Sequence, residues 1–112
     1  MPTSQVHISA HTPMGANLVG GGATFRAWAL RAQEVHISGE LNGCARDEST
    51  LMVKDAAGYW SGFVPGIKDG DHYKFFVVGA GSQGYKRDPY ARELSETPAY
   101  PRSNCIVRDW NS

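Results

Sequence analysis

Six residues, 79–84, carry the most recognisable chemical spacing in the chain. Their sequence, Gly-Ala-Gly-Ser-Gln-Gly, matches the G-x-G-x-x-G pattern of dinucleotide-binding turns and follows a strongly apolar segment. In such sites the glycines open a helix whose N-terminal N–H groups hold a pyrophosphate. The residues that follow, through Pro89, show no helical pattern. We therefore interpret the run as a hairpin turn between two strands.

Other catalytic and metal-binding patterns are missing from the sequence. The four histidines are not grouped with one another or with the two cysteines at metal-ligand spacings, so we interpret them as surface or strand-edge residues. No motif places a pair of carboxylates for glycoside hydrolysis, and there is no G-x-S-x-G elbow. We expect no catalytic residue, no metal and no cofactor. Cys44 and Cys105 are too few for a disulfide scaffold; we favour reduced thiols and leave their pairing open.

Aromatic residues near polar side chains give a positive signal for ligand binding. Eight of the twelve aromatic residues lie within residues 58–92, close to Lys74 and other polar groups. Sugar rings stack their apolar C–H faces on aromatic planes, while their hydroxyls form hydrogen bonds with Lys, Asn and Gln. We assign Tyr73 and Phe75 to the core, as is usual in small β-domains. For Tyr85, in a turn, exposure and burial are equally compatible with the sequence.

Short apolar or aromatic-rich runs separated by glycine and proline turns predict a β scaffold. We predict strands at residues 6–10, 23–30, 34–39, 50–54, 59–64, 72–78 and 104–108. Residues 1–5 are expected to fray, and residues 12–17 to break the chain before the next strand. No window has a long helical period. About seven short strands at this spacing predict an all-β sandwich or barrel.

Two of these strands depart from simple alternation. Phe25 and Ala27 share one face, so Trp28 must lie on the opposite face or mark a bulge. The 72–78 strand is apolar on both faces, with Phe76 and Val78 opposite to its core residues. An isolated sandwich would leave that second face in water, and exposed apolar patches commonly mark interfaces. We therefore predict that Phe76 and Val78 pack against another domain.

Length and composition restrict the classes of protein that the chain can belong to. With 112 residues, 41% of them hydrophobic and 20% charged, the chain is long enough for one soluble domain. Its formal net charge is zero, which argues against a nucleic-acid or anionic-membrane partner. No apolar run is long enough to cross a bilayer, and the N-terminus lacks the features of a secretory signal. We expect a cytoplasmic protein.

A set of short motifs occurs in order along the chain, at residues 25–29, 35–42, 58–60, 64–67, 73–75 and 86–92. Together they resemble the N-terminal early-set domain of α-glucan-active enzymes, called the family 48 carbohydrate-binding module. Glycogen branching enzymes, isoamylases and trehalohydrolases carry this domain, and the run Lys-Arg-Asp-Pro-Tyr-Ala-Arg points most towards branching enzymes. The resemblance implies an immunoglobulin-like (early-set) β-sandwich of about seven strands over residues 14–109.

The same resemblance implies a domain organisation and a non-catalytic role. Residues 1–13 would be an N-terminal segment, and residues 110–112 would begin a linker to a catalytic (β/α)-barrel. The family's catalytic carboxylates belong to that barrel, so we expect this fragment to be non-enzymatic. Its parent would be a 1,4-α-glucan branching enzyme or a related glycoside hydrolase.

Carbohydrate-binding residues are also implied by the resemblance. Related glycogen-binding modules use two tryptophans, a lysine and an asparagine. The lysine matches Lys74, the second tryptophan falls near Tyr85, and the asparagine falls near Asn104. The first tryptophan falls at Cys44, so one stacking platform is missing. For this reason we rank a domain that positions the barrel through Phe76 and Val78 above a module that binds α-1,4-glucan such as glycogen or starch.

Overall fold

The protein folds as a sandwich of two antiparallel β-sheets. The computed structural model describes residues 3–38, 50–86, 93–94 and 105–107, with the backbone alone for residues 82, 85, 86, 93 and 94. The strands are β1 (Gly15–Val19), β2 (Gly22–Trp28), β3 (Glu34–Ser38), β4 (Val53–Lys54), β5 (Tyr59–Pro65), β6 (His72–Gly79), β7 (Ser82–Lys86), β8 (Glu93–Leu94) and β9 (Cys105–Ile106).

The strands divide between a first and a second sheet. The first has the order β1-β2-β5-β4, and the second has the order β3-β6-β9-β8 with β7 paired to β6. Neither the named strands nor the segments between them, as far as the structure describes the chain, include an α-helix. The predicted all-β sandwich is therefore confirmed. The predicted strand at residues 104–108 is confirmed only for Cys105–Ile106.

The centre of the first sheet is the pair β2–β5, whose register explains the position of Trp28. Pairing runs without a bulge from Gly22 opposite Pro65 to Trp28 opposite Tyr59. Phe25 is fully buried, whereas Trp28, on the other face, is 57% exposed. The sequence left two alternatives for Trp28, and the structure selects the opposite face.

The core lies between the two sheets and is closed by aromatic contacts. The rings of Phe25 and Tyr73 meet edge to face across the sandwich with their centroids 5.2 Å apart. Tyr73 in turn contacts Phe75 at 5.8 Å. All three are buried, which confirms the assignment of Tyr73 and Phe75 to the core. Burial of each such ring stabilises the fold by about 1.5–3 kcal/mol relative to exposure.

The glycine run at residues 79–84 forms the predicted hairpin. Gly79 pairs with Ser82, so Ala80 and Gly81 alone make the turn from β6 to β7. Gly81 has φ of 78°, a left-handed conformation that glycine adopts without steric cost. Because a strand follows the turn rather than a helix, no helix N-terminus is available for a pyrophosphate.

The N-terminal segment differs from two predictions. Residues 3–5 are not frayed but are held by hydrogen bonds to β5 and to Leu51, and residues 6–10 do not form a strand. Thr3 is buried; its amide and hydroxyl both donate to the carbonyl of Leu51. Ser4 accepts a hydrogen bond from the amide of Phe63, and the ring of His7 lies 5.0 Å from that of Phe63. These partners are more than 40 residues away in sequence, so local pattern could not reveal them.

Two further strand predictions need correction. The expected break at residues 12–17 overlaps β1, because Gly15 and Asn17 pair with β2 despite their low β-propensity. The predicted strand at 50–54 is divided between the sheets. Leu51 bridges to β3, whereas Val53–Lys54 pair with β5. This crossing segment closes one side of the sandwich.

Candidate carbohydrate-binding and docking surface

The outer face of the second sheet carries the predicted functional positions of β6. Lys74, Phe76 and Val78 alternate with the core residues of this strand and therefore share its outer face. Their register partners on β3 are Ser38, His36 and Glu34 respectively. The predicted carbohydrate-binding lysine and the two predicted docking residues thus lie in a row along β6, on the outer face of the second sheet.

Tyr85 lies in strand β7, whereas the sequence placed it in a turn. Its backbone pairs directly with Phe76, and Gln83 pairs with Val78. Directly opposite positions of an antiparallel pair belong to one face, and diagonal positions lie roughly 7–8 Å apart. Lys74 is therefore a diagonal neighbour of Tyr85. Asn104 and Cys44, the other positions implied by the resemblance, lie outside the described residues.

The middle of this outer face is buried within the domain itself. Phe76 is 7% exposed, and the ring of His36 lies 6.4 Å from it. Lys74 and Val78, at either side of Phe76, are half-buried. The expectation that the isolated sandwich would leave Phe76 in water is therefore wrong. The more accessible apolar position is Val78, beside a shallow depression lined by Val78, Gly79, Gly81 and Gln83.

A partly buried series of hydrogen bonds joins this face to residue 50. His36 Nε2 lies 3.0 Å from Glu34 Oε1, and its Nδ1 lies 2.8 Å from the Thr50 hydroxyl. An ionised carboxylate only accepts, so Nε2–H donates to Glu34 and, in the neutral ring, the hydroxyl donates to Nδ1. The order of groups resembles that of a hydrolase triad, but Thr50 is 3% exposed and cannot meet a substrate. These hydrogen bonds instead hold the crossing segment, residues 50–54, against β3.

Sequence reasoning placed His36 among the surface or strand-edge histidines. It does lie on β3, at the end of the second sheet's strand order, but its ring is buried. The partner that satisfies Nδ1 is 14 residues away, in a segment whose path depends on the tertiary fold. The described ranges, 3–38, 50–86, 93–94 and 105–107, hold no group of three metal-ligating side chains. No described helix is long and apolar enough to cross a membrane.

The sequence profile of one family, Carbohydrate-binding module 48 (Isoamylase N-terminal domain), matches residues 13–91. The chain belongs to this family. The matched region includes both central strand pairs and the outer face formed by β3, β6 and β7. The resemblance inferred from the ordered motifs is therefore confirmed.

Curated relatives of this module are named 1,4-alpha-glucan branching enzyme GlgB. The protein from Nitratidesulfovibrio vulgaris (strain DP4) is 44% identical over 71 residues, which is 62% of this chain and 11% of that protein. The protein from Burkholderia vietnamiensis is 33% identical over 110 residues, which is 96% of this chain and 14% of that protein. The chain thus spans a small part of the length of these relatives.

Solved structures of pullulanases contain the same fold. PulA from Klebsiella oxytoca aligns with a TM-score of 0.72 and 29% identity over 95% of this chain and 10% of that one. PulA from Klebsiella pneumoniae, solved as a maltotriose complex, aligns with a TM-score of 0.72 and 28% identity over 98% of this chain and 12% of that one. Enzymes with different names thus contain this fold, so the fold by itself does not specify one activity.

Proposed function

We propose that this module is the non-catalytic N-terminal accessory domain of an α-1,4-glucan-processing enzyme of the glycogen branching type. Its main role is to pack against the catalytic barrel of the same chain and position it. Support comes from the names of the relatives and from the small share of their length that the module represents. The residues that perform the reaction lie in the barrel.

The accessible part of the outer face of the second sheet is the observation that carries this proposal. Val78 is a half-buried apolar residue beside the buried ring of Phe76, and it borders the shallow depression at the β6–β7 hairpin. Apolar surface of this kind gains free energy when a second domain removes it from water. Val78 therefore replaces Phe76 as the residue on which docking is best tested.

The test compares Val78→Asp with Val19→Asp in the full-length enzyme. Val19 is the matched control, because it is a 36% exposed valine at the end of β1 in the first sheet. A buried, unpaired carboxylate in a domain interface is costly, so Val78→Asp should lower the melting temperature and speed proteolytic release of the module. The melting temperatures of the same two variants are also measured in the 112-residue chain, so that destabilisation of the module itself is not mistaken for lost docking. Equal behaviour of both full-length variants would refute docking at this face.

A second candidate function is weak binding of α-glucan through Lys74, Tyr85 and Asn104. The observation in its favour is that the register makes Lys74 a diagonal neighbour of Tyr85 on one face. Affinity electrophoresis of the 112-residue chain in gels containing glycogen tests it. Lys74→Ala and Tyr85→Ala should each weaken any retardation. Retardation that neither change weakens would exclude this pair as the site.

A further inference from the structure

The most exposed aromatic side chain with a described position is on the first sheet, away from Lys74 and Val78. Trp28 is 57% exposed at the end of β2, on the outer face of the sheet. The two faces of an indole make up most of its surface, so this exposure leaves a broad ring face open to solvent. An exposed indole offers a large, rigid apolar surface on which the ring of a ligand can stack.

The ring of Trp28 is held in a fixed orientation. Its Nε1–H donates to the carbonyl of Ala57 at 3.0 Å. That carbonyl is part of a turn organised by Asp55, whose Oδ1 accepts hydrogen bonds from the amides of Ala57 and Tyr59 at 2.9 and 3.1 Å. A ring immobilised before the ligand arrives loses little conformational entropy on binding.

A second aromatic residue and a charged residue share the outer face of the first sheet with Trp28. Tyr59, directly opposite Trp28 in the sheet, is half-buried, and the guanidinium of Arg26 lies 4.5 Å from the centroid of its ring. Arg26 is itself held by the carbonyl of Ser9 at 2.9 Å and lies 3.6 Å from Asp55 Oδ2. The side chain of Asp55 is 50% exposed, which leaves carboxylate lone pairs open to a ligand.

We propose that Trp28, Tyr59 and Asp55 form a second α-glucan site, on the opposite sheet from Lys74 and Tyr85. A glucose ring stacks on the open face of the indole, and its hydroxyls donate hydrogen bonds to the Asp55 carboxylate. The proposal rests on the proposed function, because the parent enzyme's α-glucan is the ligand. Trp28 thus supplies a stacking ring to a module in which Cys44 occupies the position expected for another.

A carbohydrate suits this surface better than a second protein domain does. The centre of a protein interface is depleted of charged residues. Asp55, by contrast, is a half-exposed carboxylate in the turn whose Ala57 carbonyl holds the indole of Trp28. Lys54, also exposed, donates to the nearby carbonyl of Leu30 at 2.8 Å. A flat aromatic ring bordered by hydrogen-bonding groups is the arrangement that an amphipathic sugar ring requires.

The first test needs no substitution. The indole N–H signals of the ¹⁵N-labelled 112-residue chain are followed by NMR during titration with maltoheptaose. The Trp28 signal should shift progressively. Trp60 is the internal control, because its ring is 5% exposed and its Nε1–H donates to the carbonyl of Ala29 within the domain. An unmoved Trp28 signal at saturating maltoheptaose overturns the proposal.

The second test uses variants in glycogen-containing gels. Trp28→Ala should weaken retardation about tenfold or more, as expected for loss of one stacking ring, whereas Trp28→Phe, which keeps a ring, should retain most of it. Leu30→Ala is the matched control, because Leu30 is an apolar residue of the same region, 48% exposed, without a flat ring. Equal retardation of Trp28→Ala and Leu30→Ala overturns the proposal.

The outcomes also distinguish this site from the proposed function. Binding that is lost in Lys74→Ala and Tyr85→Ala but kept in Trp28→Ala overturns the second site and supports the first. Absence of all retardation overturns glucan binding at both, while docking is decided by the Val78 comparison. Unchanged glycogen binding by Trp28→Ala, together with faster release of the module from the full-length enzyme, overturns the sugar site and makes Trp28 a barrel contact.

Discussion

Replacement of Gly58 by alanine should destabilise the domain at the turn that orients Trp28. Gly58 has φ of 92°, and a Cβ built on it would lie 2.9 Å from the Cα of Leu30. The first feature costs an L-residue about 1–2 kcal/mol. The second is a contact with backbone, which cannot rotate away, and overpacking of this kind costs about 1–3 kcal/mol. The combined loss of unfolding free energy is therefore about 2–5 kcal/mol.

Gly66→Ala separates the two contributions. Gly66 has φ of 80°, but a Cβ at this position would meet no heavy atom within 4 Å beyond its chain neighbours. It should lose only the conformational cost, about 1–2 kcal/mol. Gly84→Ala meets open space without a positive φ, and it should be close to neutral. The difference between Gly58→Ala and Gly66→Ala measures the contact with Leu30.

The assay is urea unfolding of the 112-residue chain, followed by tryptophan fluorescence. With an m-value of about 1–3 kcal/mol/M, a loss of about 3 kcal/mol, within this range, lowers the midpoint by about 1–3 M. Equal midpoints for Gly58→Ala and Gly66→Ala would refute the close approach of Leu30. A midpoint for Gly66→Ala equal to that of the unchanged chain would refute the conformational argument.

Two further experiments test buried side chains of the domain. Thr50→Val leaves Nδ1 of buried His36 without its hydroxyl partner, so the free energy of unfolding should fall by about 1–3 kcal/mol. Thr50→Ser keeps a hydroxyl and should retain most of that free energy. Equal urea midpoints for the valine and serine variants would argue against this hydrogen bond. The side chain of Cys105 is fully buried, so it should resist a thiol reagent in the native chain and react in urea, as mapped by mass spectrometry. Rapid native labelling at Cys105 would contradict its burial.

Strand patterns predicted the centre of each sheet but not its margins. Alternation indicates the burial of Phe25, Tyr73 and Phe75, because side chains of a strand point to opposite faces with a period of two residues. β1 and the crossing segment lack that signal. Gly15 and Asn17 have low β-propensity, and Leu51 reaches β3 through a path that depends on the closure of the sandwich.

The candidate site was predicted in part. The sequence placed Lys74, Phe76 and Val78 on one face, and the register of β6 and β7 added Tyr85 beside them. The burial of Phe76 could not be predicted from the sequence, because the exposure of a side chain depends on residues distant in sequence that pack over it. The same limit applies to Trp28: its alternation left a choice between opposite face and bulge, and exposure followed only from the completed sheet.

The sequence by itself determined the β class, the core aromatic residues of β2 and β6, the hairpin at residues 79–84 and the family. Each depends on local periodicity, turn chemistry or an ordered set of short motifs, which are properties of neighbouring residues. Only the tertiary structure decided that Thr3 is buried against Leu51, that His36 is satisfied by Thr50, and that the indole of Trp28 is held open above the first sheet. The physical reason is that these features depend on contacts between residues distant in sequence, which exist only after the two sheets have packed.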